Sequence, residues 1–428
     1  MDKTFFGHPI GLRTLFFTEM WERFSYYGMR AILILYAVSP TGLHLPIKTA
    51  AFIYGLYTMS VYLFSLPGGY ISDRFLGAKR SVLWGGVLIA LGHFIIALST
   101  LFFFYLGLVI IVLGTSLLKP SISALVGNLY TNDEEKRDSG FSLFYMGINI
   151  GAFMAPFICG YLGQFVAWHY GFGAAGIGMV LGLIQYVRGQ KYLTSLSDHT
   201  STFHPSFSRM ALTSQDWARI FIIGLLFIFS SIFWMAFEQA GSSLNLFADT
   251  LVRNEIFGIS FPSSWLQAVN PIFIIILAPL FSWIWITLGR KQPGSSIKFS
   301  IGLLFAALGF YLLAYASQFV GEGKVSFMWL LGVYFLHTCG ELCVSPVGLS
   351  MVTRLAPTML VAFFLGVWFV SIALGNYLGG WVAGHFNADP SNLVHLFNSV
   401  GYVCLTGAII LLILYPVFKR LERKGGSA

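Results

Sequence analysis

The sequence predicts an all-α membrane protein in which twelve transmembrane helices form two six-helix bundles. Of its 428 residues, 57% are hydrophobic and only 10% are charged, whereas an average soluble domain carries about 25% charged residues. Twelve apolar segments approach the roughly 20 residues that a helix needs to cross a bilayer. This composition excludes an ordinary water-soluble protein.

The twelve segments divide into two sets of six. The first set comprises 15–38, 50–71, 81–99, 101–129, 140–163 and 170–188. The second set comprises 217–248, 263–287, 298–317, 326–351, 358–384 and 394–418. Residues between the sets are rich in Ser and Thr and include two His and one Lys. We therefore expect an N-terminal bundle over 1–190, a cytoplasmic linker over 191–215 and a C-terminal bundle over 216–428, a two-bundle arrangement typical of transporters.

The distribution of basic residues predicts the orientation of the chain. Of the 25 Lys and Arg residues, 19 lie on the side that holds the N-terminus, three lie on the other side and three lie inside spans. Cytoplasmic loops carry an excess of Lys and Arg, so we expect both termini to be cytoplasmic. The net charge of +8 then reflects topology, and we expect no nucleic-acid partner.

The first span carries four charges within an apolar helix, at Glu19, Glu22, Arg23 and Arg30. At about 100° per residue, Glu19, Arg23, Tyr26 and Arg30 share one face. A charge at the bilayer centre costs about 2.5–3.5 kcal/mol even on insertion scales. Such a face indicates a helix that lines a watery path.

Three further charges lie inside other spans, at Lys119, Glu238 and Glu341. Together with the first span, they predict a central aqueous cavity between the bundles with opposite charges on its walls. A buried lysine keeps its charge when a carboxylate lies beside it. We therefore expect Glu19 or Glu22 to pair with Lys119, so that protonation of the acid frees the lysine for an anion.

The two acids of the second half have different predicted roles. Glu341 suits a cationic end of the substrate, and the alternative is a structural acid that a hydroxyl such as Ser345 satisfies. Glu238 is expected to act in a gate by pairing with Arg23 or Arg30.

Polar and aromatic residues inside the spans complete the predicted pocket. Asn149 and Asn270 occupy similar places in spans 5 and 8 and could hydrogen-bond a substrate backbone. Six aromatic side chains could form the walls of pockets for the substrate's side chains. Each of them alone could equally well lie at the membrane interface. They are Tyr27, Tyr57, Tyr62, Tyr145, Trp234 and Trp368.

The loop between spans 2 and 3 reads Gly-Tyr-Ile-Ser-Asp-Arg-Phe-Leu-Gly-Ala-Lys-Arg over 69–80. Its glycines permit a tight turn. Asp73, which Arg74 follows, can pair with a basic residue at the end of a neighbouring helix, and this pair would stabilise one conformation of the cytoplasmic side. The loop resembles the signature of the major facilitator superfamily.

Three runs resemble the proton-dependent oligopeptide transporter family (POT/PTR), the peptide transporters of the major facilitator superfamily, in its bacterial form. They are the ExxER run at 19–23 with its continuation to Arg30, the run 237–244 in span 7 and the run 340–346 in span 10. The resemblance implies a proton-coupled symporter that imports di- and tripeptides by alternating access. It also implies a bacterial inner (plasma) membrane location and contact with membrane lipid. Because one chain supplies a complete two-bundle path, we expect it to function as a monomer.

The resemblance assigns roles to the candidate residues. Proton coupling would fall to Glu19, Glu22, Arg23 and Lys119. Arg30 and Lys119 would face the peptide carboxylate, and Glu341 would face the peptide amino group. The remaining substrate-pocket positions would be Tyr27, Tyr57, Asn149, Trp234, Asn270, Ser345 and Trp368.

One departure and two alternatives remain. Many bacterial members carry two extra helices between the bundles, which the 27 residues from Gly189 to Gln215 cannot accommodate. A proton-coupled carrier of nitrate or another small anion is the alternative cargo, although Glu341 argues against a pure anion carrier. We expect no enzyme, because HExxH, GxSxG and paired-aspartate motifs are missing from the sequence, and no metal or cofactor beyond the coupling proton.

Overall fold

A computed structural model describes residues 4–130, 134–194, 213–357 and 360–425. Within these residues, eleven helical segments are long and apolar enough to cross a membrane. The helix Ile10–Val38 is the twelfth span. It is 29 residues long and mostly buried, but each of its 18-residue windows contains at least three charges. The predicted all-α membrane architecture is therefore confirmed.

The described residues form fourteen α-helices, several of which join into one span. In chain order, they are α1 Ile10–Val38, α2 Ile47–Leu63, α3 Ser65–Ile71, α4 Ala78–Ile96, α5 Leu101–Asn128, α6 Glu134–Ala155, α7 Trp168–Gly189, α8 Ser214–Phe237, α9 Ser243–Leu251, α10 Val269–Leu288, α11 Ser295–Ser317, α12 Met328–Leu355, α13 Val361–Ala383 and α14 Pro390–Gly425. Most ends fall within a few residues of the predicted spans.

Short strands connect some of the helices. An antiparallel pair, β1 (Thr4–Phe5) and β2 (His8–Pro9), precedes α1. The strand β3 (Val252–Arg253) pairs in parallel with β6 (Val325–Ser326), and β4 (Glu255–Ile256) lies beside β5 (Ile259–Ser260). None of these was predicted from the sequence, because two-residue strands carry no detectable periodicity.

Contacts divide the chain into two compact units. The first comprises Met1–Pro46, Ser60–His204 and Ile256–Ile272, and the second comprises Ile47–Met59, Pro205–Glu255 and Phe273–Ala428. Two short segments are thus grouped differently from the predicted bundles. Most of the predicted linker 191–215 lies outside the described residues. The division at 190 and 216 stays a prediction.

In the first unit, α1 packs against α6 and α7, and α4 packs against α5 and α7. Gly151 of α6 makes the close approach to α1 possible, since a Cβ there would lie 2.1 Å from the carbonyl oxygen of Met20. No other residue fits this position without a shift of the backbone. The contact lies beside the charged part of α1 and fixes that part against its neighbour.

In the second unit, α11 packs against α12 and α14, and α8 packs against α13. The first part of α2 also belongs to this unit. It crosses α13 at Gly55 and Gly380, where a Cβ on Gly380 would lie 2.5 Å from the Gly55 Cα. Small residues allow this kind of close backbone approach between membrane helices.

Several spans are interrupted. Wide π-helical turns occur at Ser72–Leu76, Pro156–Gly160 and Leu162–Val166. A 3-10 turn at Glu238–Gly241 separates α8 from α9. Transporter sites are often built at such interruptions of membrane helices, and Glu238 lies within one of them.

Candidate functional site

Arg23 is the centre of a buried charge cluster on α1. Its Nη2 donates to Glu22 Oε1 at 2.7 Å, and its Nε pairs with Glu22 Oε2 and lies 3.2 Å from Glu19 Oε1. Arg23 and Glu19 are each 4% exposed, and Glu22 is fully buried. One cation thus neutralises two carboxylates, while Glu19 Oε2 is buried with no hydrogen-bond partner among the described residues.

Lys119 approaches this cluster from α5, where it directly precedes Pro120. Its ammonium lies 3.7 Å from the centre of the Tyr62 ring, and α5 contacts α1. A cation over an aromatic face is stabilised by the ring quadrupole. The sequence had suggested a direct pair of Lys119 with Glu19 or Glu22, but in this structure both carboxylates pair with Arg23.

Aromatic rings also accompany the two arginines of α1. The guanidinium of Arg23 lies 5.1 Å from the Tyr26 ring centre, and that of Arg30 lies 5.7 Å from the Tyr27 ring centre. The two rings contact each other edge to face at 5.2 Å. Arg30 is 6% exposed. The predicted face of α1 therefore holds its cations against tyrosines within the first unit.

The other predicted residues of the first unit lie in different surroundings. Asn149 is buried, and its Nδ2 donates to the Tyr145 carbonyl one turn earlier at 3.0 Å. Asn270 is half-buried near the start of α10. Asp73 and Arg74 are exposed in the π-helical turn. Neither forms an ion pair with another described residue, so the predicted latch is not formed in this structure.

In the second unit, Trp234 and Glu238 lie one turn apart around the end of α8. Glu238 is buried, and Trp234 is half-buried and contacts Phe237 edge to face at 5.3 Å. The Trp234 Nε1 is buried without a hydrogen-bond partner among the described residues. The adjacent Gln239 donates to the Gly379 carbonyl at 3.0 Å and accepts from the Ser243 hydroxyl at 2.5 Å. This glutamine was not predicted from the sequence, although its side chain ties the helix break to α13.

Glu341 and Ser345 follow each other by one turn on α12, and both are half-buried. The Ser345 Oγ is buried and has no hydrogen-bond partner among the described residues. The alternative role of Glu341, a structural acid satisfied by the Ser345 hydroxyl, therefore lacks its hydrogen bond. Glu341 projects from the same helix that carries Pro346 inside it.

Two further pocket candidates are buried aromatic residues of the second unit. Trp368 on α13 is packed so closely on Gly348 that a Cβ there would lie 2.1 Å from the indole. Tyr57 on α2 is 4% exposed. Their burial is compatible with packing against a helix and with lining a pocket. It therefore does not decide between the two roles that the sequence left open for Tyr57 and Trp368.

The arrangement contains a carboxylate oxygen that can accept a proton, beside a buried cation. The Glu19 carboxylate has one oxygen on Arg23 and one without a hydrogen bond to the described residues, so a proton can be added there without breaking a hydrogen bond. Protonation of Glu19 would weaken the electrostatic attraction between its carboxyl group and the cations Arg23 and Lys119. In the first unit, a group that can accept a proton therefore lies directly beside a buried cation.

A family model described as the POT family (PTR2) matches residues 79–219 and 213–400. The chain belongs to the POT family. A peptide transporter, YePEPT of Yersinia enterocolitica, is 39% identical to it, with 99% of this chain and 98% of that protein covered. A di-/tripeptide transporter of Lactococcus lactis subsp. cremoris is 34% identical, with 98% and 97% covered. A crystal structure of a mutant peptide transporter POT in complex with alafosfalin has a TM-score of 0.93 and 36% identity, with 98% and 97% covered.

POT-family membership confirms the resemblance drawn from the ExxER run and the two later runs, and with it the major facilitator fold of two six-helix bundles. The comparison also shows a difference in length. The alignment with YePEPT extends over 499 positions, more than the 428 residues of this POT-family chain. The relative therefore has additional residues within the aligned region, as expected if this chain lacks a helix pair that relatives carry.

Tyr62 is the residue of this POT-family site that sequence reasoning left undecided. It was one of six aromatic residues with equal claims, because nothing in the sequence distinguishes a ring that faces Lys119 from one that faces lipid. The short distance to the ammonium selects it.

Proposed function

We propose that this POT-family protein is a proton-coupled symporter that imports di- and tripeptides by alternating access. The observation that carries the proposal is the buried Glu19–Arg23–Glu22 cluster, with a further half-buried cation, Lys119, against the Tyr62 ring of the same unit. The named functions of the relatives, peptide and di-/tripeptide transport, support the choice of cargo.

The coupling follows from electrostatics. With Glu19 charged, the cluster holds Lys119 near it, and with Glu19 protonated, Lys119 loses that attraction and is available to an anion. A peptide carboxylate is such an anion, and Arg30 is a second cation for it. Proton binding and peptide binding therefore affect the same charges, which is the requirement for coupled movement. The proton serves as the coupling ion, and the mechanism uses no cofactor or metal.

The cargo is inferred from charge complementarity. A peptide backbone carries a carboxylate and an ammonium, so it needs cations and an acid. The first unit supplies Arg30 and Lys119, and the second unit supplies Glu341. A carrier of nitrate alone would have no use for a half-buried acid on α12, whereas a peptide amino group would pair with it. Asn149, Asn270, Tyr27, Tyr57, Trp234, Ser345 and Trp368 are the proposed remaining substrate contacts.

Gating is assigned to residues at a loop and at a helix break. Asp73 and Arg74 lie exposed at the π-helical turn after α3, and Glu238 lies buried at the break between α8 and α9. We assign Asp73 a partner on a neighbouring helix end in another state, and Glu238 a partner among the α1 arginines. The two six-helix bundles, at 1–190 and 216–428, are the proposed moving bodies.

The protein is an integral membrane protein. We place it in a bacterial inner membrane with both termini in the cytoplasm, because 19 of 25 Lys and Arg residues lie on the side of the N-terminus. A single chain contains all the proposed residues, so a monomer is sufficient.

The deciding experiment is uptake by proteoliposomes under an inward proton gradient, with dialanine, nitrate and free alanine compared side by side. We expect dialanine alone to accumulate above its external concentration, and a protonophore to abolish this accumulation. Gradient-driven nitrate uptake without dialanine uptake would refute the peptide assignment.

A further inference from the structure

A groove between α1 and α7 is lined by a different face of α1 from the one that carries Glu19 and Arg23. It has a volume of about 380 Å³ and is lined by Arg13, Phe17 and Trp21 of α1 and by Gln185 of α7. Every fourth residue of a helix lies on one face, so the three α1 side chains form a single row. All four lining residues are half-buried. The row begins with a cation and continues along α1 with two aromatic rings.

Two cations lie against the Tyr192 ring, and one of them, Arg13, lines the groove. The guanidinium carbon of Arg13 lies 5.7 Å from the Tyr192 ring centre, and the Lys191 ammonium lies 5.2 Å from the same centre. Neither has an acidic partner among the described residues. The Arg13 Nε is buried and has no hydrogen-bond partner there either. Two like charges beside one ring, one with an unused donor, favour an anion.

The position of the groove selects the kind of anion. The groove lies near the start of α1 and the end of α7, on the side of the chain where basic residues are concentrated. An arginine fork matches a phosphate group well. Phe17 and Trp21, farther along α1 toward the bilayer centre, suit glycerol and acyl carbons. A soluble phosphate would contact the cations but leave the aromatic part of the groove unused.

We propose that this groove binds an anionic phospholipid of the leaflet on the N-terminal side. The phosphate contacts Arg13 and Lys191, Gln185 hydrogen-bonds the headgroup or glycerol, and the first acyl carbons pack on Phe17 and Trp21. The bound lipid clamps the start of α1 to α7. Because α1 also carries the buried Glu19–Arg23–Glu22 cluster, occupancy stabilises the helix on which that cluster is built.

The test counts lipids retained by the purified full-length protein. Native mass spectrometry with phosphatidylglycerol and phosphatidylcholine is expected to show one tightly held phosphatidylglycerol and no equivalent phosphatidylcholine. Arg13→Gln is expected to weaken that binding about fivefold, the effect of one basic residue near an anionic lipid surface, and Lys191→Gln to add to it. Arg13→Lys is expected to keep most of the binding. Arg80→Gln removes an exposed cation elsewhere in the first unit and serves as the matched control.

Thermal unfolding in detergent supplies a second readout. Phosphatidylglycerol is expected to raise the unfolding temperature of the parent and of Arg80→Gln, because a ligand of the folded state stabilises it, and to have little effect on Arg13→Gln/Lys191→Gln. Equal retention of phosphatidylglycerol by the double variant and the parent would overturn the proposal. So would equal retention of phosphatidylcholine, or the same stabilisation by inorganic phosphate or glycerol phosphate.

Discussion

The pairing of two buried carboxylates with one guanidinium makes Arg23 the strongest test of the charge cluster. Arg23→Met keeps an extended side chain but removes the charge, so Glu19 and Glu22 lose their shared cation. Removing one partner of a buried ion pair costs about 3–5 kcal/mol. Because Glu22 is fully buried and Glu19 is 4% exposed, we expect a loss in the upper part of this range at pH 8.

The pH dependence separates lost charge pairing from lost packing. At pH 5, protons neutralise carboxylates that no longer have a cation, so the energetic cost of burying them falls. The unfolding temperature of Arg23→Met in detergent should therefore lie far below that of the parent at pH 8 and much closer to it at pH 5. The triple variant Glu19→Gln/Glu22→Gln/Arg23→Met carries no buried charge at these positions and should regain most of the stability at both pH values.

The control is Arg80→Met, which removes an exposed arginine from the start of α4. It should change the unfolding temperature little at either pH. A loss for Arg23→Met that is the same at pH 5 and pH 8, or that the triple variant shares in full, would mean that Arg23 acts through packing and that the electrostatic reasoning is wrong.

Three further predictions concern coupling, cargo and packing. Lys119→Ala should abolish proton-driven dialanine accumulation in sealed vesicles, whereas Tyr62→Phe, which keeps the ring under the ammonium, should retain it; uphill uptake by Lys119→Ala would refute the coupling mechanism. Glu341→Ala should weaken competition by peptides with free amino termini far more than by N-blocked peptides, and equal losses in a competition assay would remove Glu341 from this role. Gly380→Leu should lower the unfolding temperature by several degrees, because a Cβ there would lie 2.6 Å from a backbone oxygen of α2, whereas Gly173→Leu meets no atom within 4 Å; equal shifts for the two leucines would contradict the packing explanation.

Periodicity and hydropathy were enough to predict the spans and the charged face of α1. Glu19 and Arg23 are four residues apart, so their contact follows from helix geometry alone. The pairing of adjacent Glu22 and Arg23 does not, because neighbouring residues on a helix point about 100° apart. It arises because the Arg23 side chain is long enough to bend back, and burial on both sides leaves Glu22 no solvent.

Contacts between different helices could not be predicted from the sequence, for a different reason. The choice between Arg23 and Lys119 as the partner of the acids depends on the distance from α5 to α1, which no local pattern encodes. The interruptions at Pro156–Gly160 and Glu238–Gly241 had visible signals in proline and glycine, but the same residues also serve close packing in membrane helices. Only the three-dimensional structure distinguishes a proline or glycine that interrupts a helix from one that allows close packing.

The break between α8 and α9 has a mechanical consequence. Bending an unbroken helix sharply would cost backbone hydrogen bonds, each expensive to lose in lipid. Here the regular ladder is already interrupted, and the amide of Gln239 connects the break to the Gly379 carbonyl on one side and to the Ser243 hydroxyl on the other. One uncharged side chain thus bridges the break to α13 and to the start of α9, so a change of its partners would act on both helical pieces at once.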